Sequence, residues 1–323
     1  MTSLLIFASA LISIAFLGNQ LSQFAIKESS TLGGLKGSLV ATLPAALISA
    51  VVIAATSYSA DHITLVRDAS FALFMFNIAG IAGAAFVVAA LKRASVSFKG
   101  QLDPYGVPLL ILLAVPFFLP TFVPDFAKGK WLWFVIISML ALYALQISQP
   151  TKKIEIQQLV SSQQAQDNLF KVWADLGIGS YVIAGLMLAA ITFLALQVGE
   201  TFTEASALLS LSHTSLAILI VVALQYASIR RVVPLLAKDK FHLAVIQNTV
   251  LTFSTVALVL PLIVVANLGL GLELEWLFTP FQALLTALTL LVFHLVARDK
   301  DQIGLLEAAG LPLLFLAFLF NGL

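Results

Sequence analysis

Long apolar stretches separated by short charged segments dominate the chain. Each stretch is near or above the roughly 20 residues that an α-helix needs to cross a bilayer. In order they are 1–26, 37–60, 69–91, 104–124, 131–151, 176–199, 205–229, 241–272, 276–297 and 302–323, the last interrupted by Glu307. The pattern predicts an all-α polytopic membrane protein with ten transmembrane helices in a lipid bilayer, the first stretch being a span and not a signal peptide.

Composition narrows the function classes. The chain is 60% hydrophobic and 10% charged, whereas a soluble domain carries about 25% charged residues. A net charge of +1 argues against nucleic acid as a partner. The absence of cysteine excludes thiolate metal sites and redox motifs. We find no phosphate-binding loop and no nucleophile elbow, so we predict no enzyme activity, no cofactor and no metal site.

The positive charges are distributed unevenly between the loops. Only Arg67, Lys128 and Lys130 lie in even-numbered loops, and the other Lys and Arg residues lie in odd-numbered ones. Because cytoplasmic loops are enriched in these residues, the odd loops are predicted to face the cytoplasm. Both termini are then outside, and we expect the protein in a bacterial inner (cytoplasmic) membrane.

The longest polar connection, residues 152–175, divides the ten predicted helices into two sets of five. An odd number of helices in each half forces the second half to enter the membrane in the opposite sense. We therefore predict two inverted five-helix repeats, 1–151 and 176–323, joined by a cytoplasmic linker, which is the plan of many secondary transporters. Phe76-Asn77 and Phe253-Ser254 occupy corresponding places in the two halves.

Several fragments resemble the motifs of a known family. Ala41-Thr42-Leu43-Pro44-Ala45 and Leu73-Phe74-Met75-Phe76-Asn77 lie in the first half; His213-Thr214-Ser215-Leu216-Ala217-Ile218 and Val250-Leu251-Thr252-Phe253-Ser254 lie in the second. They are similar to the second- and third-helix motifs of the cation/calcium exchanger superfamily, which includes sodium/calcium exchangers. The resemblance implies ten spans, two inverted halves, both termini outside and a cation site where the four motifs meet.

The chain departs from the family at the ligands. The resemblance places the family's cation-binding glutamates at Ala45 and Ile218. Calcium prefers six to eight oxygen ligands including carboxylates, so tight calcium binding is not expected. Neutral groups remain as candidate ligands for a monovalent cation or a small solute: Thr42, Asn77, Thr214, Ser215 and Ser254.

Each candidate also has a structural interpretation. Thr42 beside Pro44 fits a kinked, carbonyl-exposing helix or an ordinary proline kink, and Thr214 and Ser215 fit ligands or close helix packing. His213 could couple a proton to transport or be a neutral interior histidine. In the same way, Asn77, Gln247 and Asn248 are candidate ligands or interhelical hydrogen bonders. Glu200 and Glu204 form a cation vestibule or a solvated rim.

The sequence thus predicts a secondary transporter, resembling an antiporter of the sodium/calcium exchanger type, that works by alternating access. The alternative is a non-transporting membrane protein that keeps the fold for assembly or regulation. In the first case, Asn77, Thr214 and Ser215 are expected to meet about halfway across the bilayer.

Overall fold

The structure is a computed structural model that describes residues 2–32, 34–60, 64–92, 112–115, 119–127, 129–148, 178–269, 277–297 and 303–322. These residues form a bundle of α-helices, in chain order α1 (Thr2–Leu32), α2 (Gly34–Ala60), α3 (Leu65–Met75), α4 (Gly83–Leu91), α5 (Gly129–Ser148), α6 (Ile178–Leu209), α7 (His213–Ala237), α8 (Phe241–Ser254), α9 (Leu260–Gly269), α10 (Pro280–Val296) and α11 (Leu305–Gly322). Residues 112–115 and 119–122 are also helical, and a 3₁₀ turn spans Pro124–Ala127.

Five helices of the described chain have the length and apolar composition to cross a membrane, and five apolar helices are shorter. The long ones are Thr2–Ser22, Leu65–Leu91, Tyr181–Leu209, His213–Ala237 and Leu251–Gly269; the shorter ones are Ala45–Ala60, Leu112–Phe122, Gly129–Ala144, Pro280–Val296 and Leu305–Phe320. The all-α, polytopic prediction is confirmed. The count of ten spans and the linker at 152–175, which lies outside the described residues, stay predictions.

Two continuous helical rods form the centre of the bundle, and each contains a π-helical segment near its middle. The first rod, residues 65–91, is α3, the first π segment (Phe76–Ala82) and α4. The second rod, residues 241–269, is α8, the second π segment (Thr255–Val259) and α9. In the most apolar part of each rod, within Leu65–Leu91 and Leu251–Gly269, 72% of the residues are buried, whereas a lipid-facing helix exposes one side. They are therefore the core of the molecule.

The rods pack against each other in antiparallel fashion. Helix α8 contacts the first π segment and α4, and α3 contacts the second π segment. At the end of the first rod, the Lys92 ammonium lies 5.6 Å from the ring centroid of Phe241, which opens the second rod. Since both π segments lie near the middle of their rods, the antiparallel packing places them at similar depth.

The surrounding helices contact the rods in matched pairs. Helix α2 packs on the second rod, and α7 packs on the first. In the same way, α5 packs on the second rod and α11 on the first. Among the outer helices, α1 contacts α7 and α2 contacts α6. Two equivalent halves would produce this pattern, because each contact of a helix in the first half is matched by a contact of the corresponding helix in the second half. The boundaries 1–151 and 176–323 remain a prediction.

The predicted bounds of the sixth and seventh stretches are wrong. Helix α6 continues through Glu200 and Glu204 to Leu209, and α7 continues through Arg230 and Arg231 to Ala237. Charged side chains do not end a helix when they reach solvent or a partner, and Glu204 accepts a hydrogen bond from the Ser3 hydroxyl. The break is instead set by local backbone chemistry. Ser210 has a φ of 53°, and Ser212 caps α7 by accepting from the Ser215 N–H.

Candidate functional site

Buried polar side chains concentrate on the two rods. Asn77 lies in the first π segment, and four others lie along α8. All five are fully buried: Asn77, Asn248, Thr249, Thr252 and Ser254. Helix α8 packs on the first π segment, so these groups lie on the two elements that form one interior interface. Asn77, Asn248 and Ser254 were predicted as site residues, and the structure places all three in this interface.

The threonines of the second rod satisfy their hydroxyl donors within their own helix. Thr249 donates to the Val245 carbonyl at 2.9 Å, and Thr252 donates to the Asn248 carbonyl at 2.8 Å. Such back-bonding is the usual solution for a hydroxyl buried in an apolar helix. These two hydroxyls therefore need no ligand to be satisfied.

The asparagines differ from the threonines because some of their polar atoms have no partner. Neither amide atom of Asn77 makes a hydrogen bond to the described residues. The Asn248 amide nitrogen donates to the Ala244 carbonyl at 2.9 Å, but its Oδ1 has no partner within the same part of the chain. Buried polar side-chain atoms are paired in the large majority of cases. The unpaired atoms therefore mark this interface as a candidate binding site.

Asn77 is the second residue of the first π segment. A π segment inserts an extra residue into the helical ladder and is found frequently at functional sites. Asn77 makes no hydrogen bond to its own helix within the described residues, whereas Asn248 and Asn267 do, the latter donating to the Ile263 carbonyl at 2.8 Å. The segment directs an amide into the interior.

Ser254 closes the α8 side of the interface and is already engaged. The Tyr143 hydroxyl of α5 hydrogen-bonds to the Ser254 side chain, and the Tyr143 ring stacks on Phe253 with centroids 5.8 Å apart. This pair joins α5 to the second rod just before the second π segment. Ser254 therefore has a structural partner, and its role as a ligand stays a prediction.

The placement of the α7 candidates at mid-depth is wrong. His213, Thr214 and Ser215 form the first turn of α7, at the end of a helix of 25 residues. Ser215 serves the cap, its hydroxyl lying 2.8 Å from that of Ser212, and the His213 ring packs on Phe202 with centroids 5.5 Å apart. The error follows from the helix bounds, since the predicted seventh span began eight residues earlier, at 205.

With α7 starting at His213, different polar residues lie in its interior. Gln225 and Ser228 are 3% and 2% exposed, and the Gln225 Oε1 has no hydrogen-bond partner among the described residues. Helix α7 packs on α3 and the first π segment, so it contributes to the same part of the core. Neither residue was predicted as part of the site, because the start of α7 was misplaced. Ser212, three residues before Ser215, is a recognisable N-cap signal that marks the true start of the helix.

Two of the predicted ligands cannot be placed. Thr42 lies in α2 and Gln247 in α8, but both side chains lie outside the described part of the structure. The positions that the resemblance assigned to glutamates are both half-buried: Ala45 lies in α2, and Ile218 lies in the second turn of α7.

The chemistry of the site is that of neutral oxygen donors. Asn77, Asn248 and Gln225 supply amide oxygens without partners, and no carboxylate lies in the middle of either rod. No group of three or more His, Cys, Asp or Glu that could hold a metal ion occurs within the residues searched, which are the described ones. Such donors suit a weakly bound monovalent cation or a polar solute better than calcium, which takes carboxylates among its oxygen ligands.

Comparison with known proteins gives a fold and no closer relationship. No family model and no curated protein matches the sequence. Native YfkE is similar over 99% of this chain and 92% of its own, with a TM-score of 0.74 and 16% identity. A selenium-substituted structure of the same Ca²⁺/H⁺ antiporter gives 0.73, with 16% identity over 99% of this chain and 91% of that one. The H⁺/Ca²⁺ exchanger CAX gives 0.67, with 13% identity over 99% and 81%.

At these identities the likeness concerns the fold alone, and it extends over nearly the whole chain. The fold implied by the motif fragments is thereby confirmed: the chain has the fold of the Ca²⁺/H⁺ antiporter YfkE and of the H⁺/Ca²⁺ exchanger CAX.

Proposed function

We propose that the protein is a secondary transporter that moves a cation or a small solute across the membrane by alternating access. The site comprises Asn77, Asn248 and Gln225, supported by Ser228 and Ser254. The observation that carries the proposal is the amide of Asn77, which is fully buried and unpaired at both polar atoms among the described residues. Leaving a buried polar group unsatisfied costs about 1–3 kcal/mol, and a transported ligand would offset that cost.

The fold supports transport as the function class. YfkE is a Ca²⁺/H⁺ antiporter and CAX an H⁺/Ca²⁺ exchanger. The substrate of this chain is argued from its own residues instead. With Ala45 and Ile218 at the positions of the family's glutamates, the neutral donors favour a monovalent cation or an uncharged polar solute.

A non-transporting role for the same fold is the second candidate. The observation in its favour is the close packing of the core, where Asn77, Asn248 and Ser254 are all fully buried and the threonine donors are met internally. Such a protein would keep the bundle for assembly or regulation. It would bind no solute at Asn77.

Transport into proteoliposomes separates the two functions. Purified protein is reconstituted and tested for uptake of Na⁺, K⁺, Li⁺ and Ca²⁺ against an opposing proton or sodium gradient, with empty liposomes as the control. We expect gradient-driven uptake of a monovalent cation above the control. Absence of gradient-driven movement for every ion and for a panel of small neutral solutes would favour the non-transporting role.

Calcium binding is a separate test of the substrate argument. A ligand that binds the folded state tightly raises the melting temperature by mass action. Because the neutral donors lack carboxylates, we expect no calcium-dependent rise of the melting temperature at micromolar calcium. A clear rise would show that other groups, such as the exposed pair Glu200 and Glu204, bind the ion.

A further inference from the structure

One acidic side chain is buried among the described residues, and the transport site does not use it. Asp68 is 5% exposed and lies in the first turn of α3. Its Oδ1 accepts from the Arg67 Nε at 2.9 Å and from the Gln282 Nε2 at 3.2 Å. Its Oδ2 accepts from the Thr214 hydroxyl at 3.5 Å. The carboxylate therefore joins α3, α7 and α10 at one end of the bundle.

Three helix N-termini converge on this carboxylate. Asp68 belongs to the first turn of α3, Thr214 to the first turn of α7 and Gln282 to the first turn of α10. The N-terminus of a helix carries a partial positive charge, so the three ends and the Arg67 guanidinium together favour a negative group between them. Placing Asp68 there holds the ends close to one another.

The partners of Asp68 are themselves held firmly. Gln282 forms a capping box with Thr279, the Thr279 N–H donating to the Gln282 Oε1 at 3.0 Å and the Gln282 N–H to the Thr279 hydroxyl at 3.2 Å. The Arg67 Nη1 donates to the Leu277 carbonyl at 3.2 Å, in the segment before α10. We name the set of Arg67, Asp68, Thr214 and Gln282 the outer latch.

The outer latch lies on the same helices as the proposed transport site, closer to their N-terminal ends. Asn77 follows Asp68 by nine residues in the first rod, and Gln225 follows Thr214 by eleven in α7. At 1.5 Å per residue the site amides lie about 14 and 16 Å deeper. The latch therefore joins the helices at the end of the bundle beyond the proposed site.

We propose that the outer latch is the extracellular gate of the transport pathway, with Asp68 as the residue that closes it. The proposal rests on the proposed transport function and on the predicted orientation, which places the loops before α3, α7 and α10 outside. Opening the gate requires the Asp68 carboxylate to release Gln282 and Thr214, so that α10 and α7 can separate from α3.

The opposite end of the first rod carries a weaker connection. The Lys92 ammonium pairs with Asp239 at 2.5 Å, and the two side chains are 47% and 64% exposed. Exposed pairs of this kind contribute little to stability, whereas the outer latch is buried. Asp239 thus offers a matched control, since it also joins the first rod to the end of α7 but on the other side of the membrane.

The absence of cysteine from the chain permits a direct test with a single introduced thiol. Thr286 is fully buried and lies one turn deeper than Gln282 on the same face of α10, its hydroxyl donating to the Gln282 carbonyl at 2.8 Å. In a Thr286→Cys protein the labelling rate by a membrane-impermeant thiol reagent measures access from each side, in right-side-out and inverted vesicles.

We expect Asp68→Asn to raise the labelling rate from the outside by at least about tenfold and Gln282→Met to raise it several-fold, while Asp239→Asn leaves it unchanged. The Gln282→Met variant keeps the pair of Arg67 and Asp68 and so provides a test should Asp68→Asn not fold, which its melting temperature reports. An unchanged rate in folded latch variants, or a rise seen only from the cytoplasmic side, would overturn the gate.

This readout does not depend on transport. Suppose that the latch variants show the expected labelling but the parent protein moves no solute. The proposed function is then contradicted, and the closure of the outer end by Asp68 still holds. Conversely, transport by the parent protein with no labelling change in the variants would contradict the gate alone.

Discussion

The Asn77 side chain has two buried polar atoms without a hydrogen-bond partner, more than any other side chain of the described residues. Both of its amide atoms are buried without a partner in that part of the chain, whereas the Gln282 amide both donates to Asp68 and accepts from Thr279. Burial without a partner costs free energy, and a satisfied buried hydrogen bond contributes to stability. The two amides should therefore respond in opposite ways to replacement by an apolar side chain.

We expect Asn77→Leu to leave the melting temperature unchanged or to raise it, because an unpaired amide is replaced by an apolar group with the same branching and number of heavy atoms. Gln282→Leu should lower the melting temperature, because it leaves the buried Asp68 carboxylate with one partner fewer, at a cost of about 1–3 kcal/mol. Thermal unfolding of both variants in the same detergent checks the contrast. A marked loss of stability in Asn77→Leu would mean that Asn77 has a structural partner.

At the residue scale the sequence predicted some of the buried polar positions and misplaced others. Asn77 and Asn248 could be identified because side-chain amides within an apolar stretch are rare whatever the register of the helix. His213 was misplaced because its depth depends on where α7 begins. The three-dimensional partners of Asp68 could not be predicted, since Thr214 and Gln282 are distant in sequence and meet only through helix packing.

At the scale of elements, the helices follow the apolar pattern except where a cap, and not a charged residue, sets the end of a helix. Stretch 241–272 begins where the second rod begins, because Lys240 lies just before the helix, whereas α2 begins at Gly34 and includes the charged Lys36. The charge rule fails at Glu200 and Arg230, where charged residues lie on helices and the break falls at Ser210–Ser212. The π segments were not predicted, because no residue type in Phe76–Ala82 distinguishes a π turn from an α turn.

Close packing of α6 on α2 depends on Gly199. A Cβ at this position would lie 2.6 Å from both the Ser59 Cβ and the Thr56 carbonyl, whereas a Cβ at Gly185 in the same helix would meet nothing within 4 Å. Small residues allow membrane helices to approach closely. Gly199 therefore sets the distance between α6 and α2.

We expect Gly199→Ala to lower the melting temperature, since overpacking costs about 1–3 kcal/mol. Gly185→Ala should leave it unchanged or raise it, because alanine is the better helix former by about 1 kcal/mol. Differential scanning fluorimetry of the two variants tests the comparison. Equal melting temperatures would show that α6 can shift away from α2 without loss.

At the scale of the whole molecule, side-chain contacts group the connections by end. The outer latch and the bond from Thr121 to the Phe278 carbonyl place the segments around 64–67, 121, 212–214 and 277–282 at one end. The pair of Lys92 and Asp239 joins two connections at the other. This grouping matches the alternation of even and odd loops, and the distribution of Lys and Arg predicts which end is cytoplasmic.

Reporter fusions test the predicted orientation. A reporter active only in the cytoplasm should be silent when fused after Leu323 and active when inserted within residues 152–171. Both sites can be assayed in the same cells, with expression measured in parallel. The reverse result would invert the topology and would place the outer latch on the cytoplasmic side.

Binding of a transported solute by the unpaired amide of Asn77 underlies the proposed function. Its most direct test is the uptake rate of Asn77→Leu in proteoliposomes, compared with Thr249→Val, an equally buried variant whose hydroxyl serves only its own helix in the described structure. We expect Asn77→Leu to lose at least about tenfold in uptake, since removing a ligand group costs about 1.4 kcal/mol or more, and Thr249→Val to retain it. Full uptake by a folded Asn77→Leu protein would contradict the account.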